Sequence, residues 1–170
     1  LPDGNLIVSY APHCNESQVI QAAREGVNVI IWFAVNLAPH STVQNNFNFT
    51  CIAEVAHTLR SENLPTAHLV SVGGWDAPHP DTTLSGAQWF DVWDTWNRAA
   101  AGSVPSELEW TGFDGIDWDL EGNDTPSSEW NHFTVECMEL VGTMSQAAKA
   151  AGEKTCTCTV IFGFFLLSHL

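Results

Sequence analysis

Gly112-Phe113-Asp114-Gly115-Ile116-Asp117-Trp118-Asp119-Leu120-Glu121-Gly122 places four carboxylates within eight positions of an otherwise apolar run. A strand points successive side chains to opposite faces, so Asp117, Asp119 and Glu121 share one face while Ile116, Trp118 and Leu120 share the other. Asp114 has the opposite parity and belongs nearer the strand's beginning. A lone acid in a strand is ordinarily solvated; three in register behind a wholly apolar face are a different matter. The apolar face must lie against a core, so the acids look either to water or into an enclosed site. Like charges two strand positions apart, roughly 6.6 Å, repel by about 2.5 kcal/mol at an effective dielectric near 20, equivalent to about two pKa units. A Glu in that setting keeps its proton toward neutral pH, as a general acid must.

The basic residues leave this face uncompensated. There are five, Arg24, Arg60, Arg98, Lys149 and Lys154. Four fall within or at the ends of helical patterns, and Lys154 lies just before the last expected strand. Asp117-x-Asp119-x-Glu121-Gly122 also resembles the opening of a calcium-binding loop, but such a loop needs Glu at its twelfth position, where Ser128 stands. No metal and no cofactor is therefore expected. The formal net charge of −15 argues against nucleic acid or an anionic membrane as partner.

With 170 residues, 45% of them hydrophobic, the chain is long enough for one sizeable core and too short for two ordinary domains. Eight Trp and nine Phe suit stacking on neutral sugar rings, although aromatics more often fill cores. Five cysteines together with Asn-x-Ser/Thr sequons at Asn15, Asn48 and Asn123 indicate an oxidising, secretory compartment and an extracellular protein. The sequence opens with neither Met nor a signal peptide, as a mature terminus or a fragment does. The apolar run from Val160 to Leu167 is far shorter than the ~20 residues of a membrane span and reads as a buried strand.

Leu6 to Ala11 reads as a strand, followed by a helix from about Glu16 to Glu25 with Asn15 as cap and Gly26 as stop. Asn28 to Val35 is a second, near-continuous apolar strand of the kind parallel sheets require. Trp32 and Phe33 point to opposite faces, and parity alone does not say which looks inward. A long polar loop leads to a helix around Thr50 to Ser61. His68-Leu69-Val70-Ser71-Val72-Gly73-Gly74-Trp75 is the third strand, its paired glycines permitting a sharp turn or a close approach. Its following loop carries His79, read as a loop residue. The spacing of Trp89, Trp93, Trp96 and Ala100 is helical and reads as packing. The acidic strand is fourth, and Thr125-Pro126 is expected to open the next helix, with Trp130, Phe133, Cys137, Leu140, Val141, Met144 and Ala148 on its apolar face. Thr155 to Phe162 makes a fifth strand. Alternation of apolar strands with helices indicates parallel βα units.

Asp114-Gly115-Ile116-Asp117-Trp118-Asp119-Leu120-Glu121 resembles the DxxDxDxE signature of glycoside hydrolase family 18, the chitinase family, and Ser71-Val72-Gly73-Gly74 resembles its SxGG signature. Both occur in the right order on adjacent expected strands. The resemblance, covering roughly residues 5 to 160, implies an α/β fold, here a partial (β/α)8 TIM barrel comprising about the first five strands and four helices, with its site at the C-terminal strand ends. It further implies Glu121 as general acid/base, Asp119 as the residue that orients the substrate's acetamido group and shares a proton with its neighbours, and Asp117 as the residue tuning Asp119. Asp114, Ser71, Gly73 and Gly74 would be structural members of the motifs. The family dispenses with a carboxylate nucleophile, because the substrate's 2-acetamido carbonyl attacks the anomeric carbon. The implied partner is therefore chitin or another N-acetylglucosamine-containing glycan.

Tyr10 and Trp75, at the ends of the first and third strands, are candidates to line the sugar cleft. Cys14 and Cys51 both follow strand ends on the same side of the sheet, and a disulfide between them is expected. Cys156 and Cys158 share a strand face, and an odd total leaves at least one thiol over. Eight βα units take about 250 residues, so residues 1–163 read as an incomplete barrel and 164–170 as an apolar tail. A partial barrel exposes sheet edges, which favours self-association, and leaves the isolated chain with little hydrolytic activity expected. The rival readings are a non-hydrolytic carbohydrate-binding relative and an endo-β-N-acetylglucosaminidase acting on N-linked glycans.

Overall fold

The computed structural model describes residues 4–152. Strands and helices alternate: β1 (Val8–Ala11), α1 (Glu16–Arg24), β2 (Val29–Ala38), β3 (Thr42–Gln44), α2 (Phe49–Ser61), β4 (Ala67–Gly74), α3 (Gly86–Gly102), β5 (Gly115–Leu120) and α4 (Val135–Ala150). β1, β2, β4 and β5 pair in that order and in parallel. The fold is a partial TIM-type barrel segment, mixed α/β. The fifth strand expected over 155–162, with Lys154, Cys156, Cys158 and the tail 164–170, lies outside the described residues.

Strand parity divides the core in two. Ile30, Trp32, Val70, Val72, Ile116 and Trp118 face the helices, packing with Ile52, Val55 and Leu59 of α2, Trp89 and Trp93 of α3, and Leu140 and Met144 of α4. The tryptophans of α3 are thus packing residues, as their spacing indicated. The other face carries a smaller cluster, Val29, Ile31, Ala67 and Leu69. Asp117 belongs to that inner face, in register with Ser71, as does Asp119 beside Gly73. Trp32 therefore looks outward to the helices, while the Phe33 ring lies close against Gly74.

Local signals explain most boundaries. Asn15 caps α1 by accepting from the Gln18 amide, and Asn48 caps α2 by accepting from the Cys51 amide. Ser85 and Gln88 form a reciprocal capping box at α3. Each satisfies amides that a helix start leaves unpaired. The disulfide Cys14–Cys51 is present, with Cα atoms 6.2 Å apart, and joins the loop after β1 to the first turn of α2.

Two expectations are corrected. The loop after β2 contains β3, which folds back antiparallel and pairs Leu37 with Val43; a strand of three residues is too short to show periodicity. The helix expected at Thr125-Pro126 begins instead at Val135, capped by Thr134. Between them Asn123, Ser128 and Asn131 hydrogen-bond neighbouring backbone amides, the competition by which such side chains displace helix with turns. Trp130 and Phe133 consequently lie before the helix and pack around His79.

Candidate active site

The three acids of β5 end up at the C-terminal end of the sheet, at increasing exposure. Asp117 is fully buried, Asp119 is 8% exposed, and Glu121 is half-buried just past the strand. Asp117 Oδ2 accepts from Ser71 Oγ at 3.0 Å and from Tyr10 Oη at 3.1 Å. Tyr10 stands on β1, three strand spacings from β5 and so about 14 Å away in a flat sheet. Its bond to Asp117 requires the sheet to curl toward that face, as a barrel wall does. Asp117 Oδ1 is buried without a hydrogen-bond partner.

Burial and mutual repulsion set the protonation of this ladder. Desolvation pushes the Asp117 carboxyl up from 3.8 to about 6, against the opposing bonds from Ser71 and Tyr10 and with help from the charge of Asp119. Burial also raises Asp119, while its hydrogen bond with Glu121 pulls it down. Glu121 is raised by burial, by the charge of Asp119 and by that same bond. That interaction lowers the Asp119 carboxyl and raises that of Glu121, so Glu121 is the more readily protonated of the two. The arginines are engaged elsewhere: Arg24 pairs with Glu62 and Arg98 with Asp94, and Arg60 donates to the Leu108 carbonyl. Among the described residues no group of three or more His, Cys, Asp or Glu is arranged to hold a metal ion.

This electrostatic arrangement carries a stability prediction. Because its folded pKa is raised, Asp117 binds more protons folded than unfolded between pH 3.8 and about 6, so its contribution to stability falls as pH rises through that window. Asp117→Asn keeps an acceptor oxygen for Ser71 and Tyr10 and removes the charge. The variant is expected to be more stable than the parent by about 2 kcal/mol near pH 8, with the gap closing as pH falls toward about 4. Urea unfolding at both pH values checks this; equal stabilities near pH 8 would refute it.

The rest of the site is shaped by backbone. Gly73 and Gly74 hold φ of +102° and +117°, and a Cβ on Gly73 would stand 2.6 Å from the Asp119 carbonyl oxygen. Asp114 opens β5 by accepting from the His68 amide at 2.8 Å, so it anchors the strand away from the other acids. Tyr10 and Trp75 are 42% and 54% exposed; Tyr10 reaches the acids, and Trp75 follows β4 directly. His79 stacks on Phe133 with ring centroids 4.6 Å apart, and its imidazole is held down in pKa chiefly by burial. Of the sequon asparagines, Asn15 and Asn48 are exposed caps, whereas Asn123 is half-buried in the loop after Glu121. A cavity of about 420 Å³ lies at the opposite end of the strands, lined by Arg60, Pro65, Thr66, His68, Trp110 and Asp114 among others, and does not touch Asp117, Asp119 or Glu121.

No family model and no curated protein matches this sequence, but solved structures do. The chitinase domain of the spore coat protein CotE from Clostridium difficile matches with a TM-score of 0.57 at 15% identity, over 88% of this chain and 39% of that one. Ostrinia furnacalis Group IV chitinase matches at 0.52 and 14%, over 88% and 42%. A glycoside hydrolase family 18 N-acetylglucosaminidase from Paenibacillus barengoltzii matches at 0.50 and 18%, over 93% and 44%. The chain has the family 18 glycoside hydrolase fold. It spans about two fifths of the length of the structures it matches. In a family 18 barrel the C-terminal strand ends are where a site is built, and Glu121, Tyr10 and Trp75 gather at that end.

Sequence reasoning missed several residues that hold this part of the family 18 fold together. Asn97 of α3 clamps the approach to β5, its Nδ2 donating to the Phe113 carbonyl at 2.9 Å and its Oδ1 accepting from the Phe113 amide at 2.8 Å. His68 accepts from Trp32 Nε1 through Nδ1 at 3.1 Å, so its remaining proton sits on Nε2 toward Thr66. Burial keeps this imidazole neutral, its pKa lowered to about 4. Asp76, Asn123, Ser128 and Asn131 tie the loops after β4 and β5. None belongs to a periodic pattern; buried Asn and His on otherwise apolar elements were the only available cue.

Proposed function

We propose that this chain supplies the acid side of a retaining glycosidase cleft that cleaves β-1,4 bonds in chitin or related N-acetylglucosamine polymers. The observation that carries this reading is the row of acids at the C-terminal end of the sheet, with Asp117 buried under Ser71 and Tyr10, Asp119 beside Gly73 and Glu121 half-buried just past the strand. A carboxylate bonded to the acid leaves no room for a sugar between the two, whereas a carboxylate nucleophile stands about 5–5.5 Å from its acid. In this reading the nucleophile is the substrate's own acetamido group, as the resemblance to family 18 implies. Glu121 donates its proton to the glycosidic oxygen while the acetamido carbonyl oxygen bonds to the anomeric carbon and the leaving sugar departs as an alcohol. Asp119 accepts the acetamido N–H and balances the positive oxazolinium that forms. Asp117, held by Ser71 and Tyr10, sits beneath Asp119. Glu121, now a carboxylate, takes a proton from the water that reopens the ring.

An intermediate of this kind has a neutral mimic in the thiazoline of N-acetylglucosamine. The chain is expected to bind that thiazoline at least about 10²-fold more tightly than N-acetylglucosamine itself, measured by calorimetry. Equal affinities would overturn the substrate-assisted route. Release of dye from aryl N-acetylglucosaminides but not from the matching glucosides would support it, and colloidal chitin set against a glycoprotein distinguishes chitin from N-glycan as polymer.

A further inference from the structure

Asn123-Asp124-Thr125 reads as a glycosylation sequon, yet the fold uses the nitrogen a glycan would need. Asn123 Nδ2 donates to Asp76 Oδ1 and, at 2.9 Å, to Ser128 Oγ. Its Oδ1 accepts from the Thr125 amide at 2.9 Å, and its own amide donates to Asn131 Oδ1 at 2.7 Å. Asn131 Nδ2 closes the turn on the Thr125 carbonyl at 2.9 Å. The Asp76 amide donates to the Gly122 carbonyl at 3.0 Å, so the loops after β4 and β5 are joined twice, immediately beyond Glu121. Packing there is tight: a Cβ on Gly122 would stand 1.9 Å from Asn131 Oδ1. Asp76 itself adopts φ of +58°, the left-handed region that Asp tolerates better than most residues.

We propose that Asn123 is a positioning residue that holds Glu121 against Asp119, and that this role and glycosylation of its sequon are mutually exclusive. The inference rests on the acid role read for Glu121. Glycan transfer replaces one Nδ2 hydrogen by the anomeric carbon of the donor sugar, the hydrogen leaving as a proton and the donor's diphosphate carrier taking the electrons of the broken bond. The modified nitrogen keeps one N–H for two acceptors, and the added sugar needs space where Asp76 and Ser128 stand. Asn15 and Asn48 carry no such conflict, because their oxygens, not their nitrogens, make the caps.

The groups facing the Glu121 carboxyl are Asp119 beside it on β5, with Asp117 deeper on the same strand, while His79 of the β4 loop meets its backbone. Carboxyl carbon NMR titration of the 170-residue chain from a non-glycosylating host reads the positioning directly. In Asn123→Ala the Glu121 midpoint is expected to fall toward the ordinary range as the side chain leaves Asp119, while the Asp117 midpoint, set by β1 and β4, stays near its parental value. Thr125→Ala removes the sequon and retains both backbone contacts, so it is expected to leave both midpoints unchanged. A folded Asn123→Ala with an unshifted Glu121 midpoint overturns the proposal. If Asn123→Ala does not fold, Ser128→Ala, which removes one of the two Nδ2 acceptors, decides: a partial fall supports the proposal and no change overturns it. From a glycosylating host, the folded chain is expected to carry an unmodified Asn123 peptide by mass spectrometry. A glycan there with the Glu121 midpoint intact overturns the exclusion. None of these readouts needs turnover, so a complete barrel carrying this segment in which Glu121→Gln cleaves at the parental rate would refute the acid role of Glu121 and leave the positioning result standing.

Discussion

In a complete barrel carrying this segment, Glu121→Gln is expected to lower dye release from N-acetylglucosamine oligomers by about 10²–10⁴-fold while leaving oligomer binding unchanged. The substitution is nearly isosteric, and the Gln amide donates to Asp119 as the protonated Glu does, so the geometry around Asp119 survives. What disappears is the transferable proton. The pH profile of the parent follows from the same pair. Glu121 is raised by burial, by the charge of Asp119 and by their hydrogen bond, so the form expected to act carries a proton on Glu121 and a charge on Asp119. On this reading activity is expected to fall at high pH as Glu121 ionises and at low pH as Asp119 protonates, and both limbs belong to the pair. A Glu121→Gln variant that cleaves at the parental rate would remove the foundation of the enzyme reading; oligomer binding with no cleavage by the parent would point to a lectin-like role.

Gly73→Ala is expected to destabilise the chain by about 3–4 kcal/mol, combining overpacking with a backbone conformation that alanine resists. The added methyl would meet the Asp119 carbonyl oxygen at 2.6 Å and Leu120 Cδ2 at 3.0 Å, at a φ of +102°. Backbone on the neighbouring strand cannot rotate aside as a side chain does. Thermal unfolding is expected about 10 °C lower, and the displaced Asp119 is expected to loosen its hold on the Glu121 proton. An unfolding temperature within about 2 °C of the parent would show that β5 does not need this close approach.

How much of this was readable depends on the range of each interaction. The parity of Asp117, Asp119 and Glu121 was legible because a strand's two-residue period is local, and it placed all three on one face before any fold was considered. The paired glycines signalled a close approach, though not that Asp119 and Phe33 are what approach. The caps at Asn15 and Asn48 are likewise short-range, but the second was not recognised. The start of α4 was misjudged because Pro126 looked like a first-turn proline, while Asn123, Ser128 and Asn131 compete for the same backbone across a longer segment. Asn97 and His68 left no pattern, since a single buried polar residue has no period.

From the chain alone came the alternation of apolar strands and helices, the row of acids and their want of basic partners, because these depend on side-chain type and spacing along one element. Only the folded chain decided which way each carboxyl is pushed, since that rests on how deeply each is desolvated and on which side chains come from other strands to meet it. Tyr10 reaches Asp117 because the sheet curls, and Asn123 meets Asp76 because two loops end side by side. Contacts between residues that are distant along the chain exist only after the strands have paired.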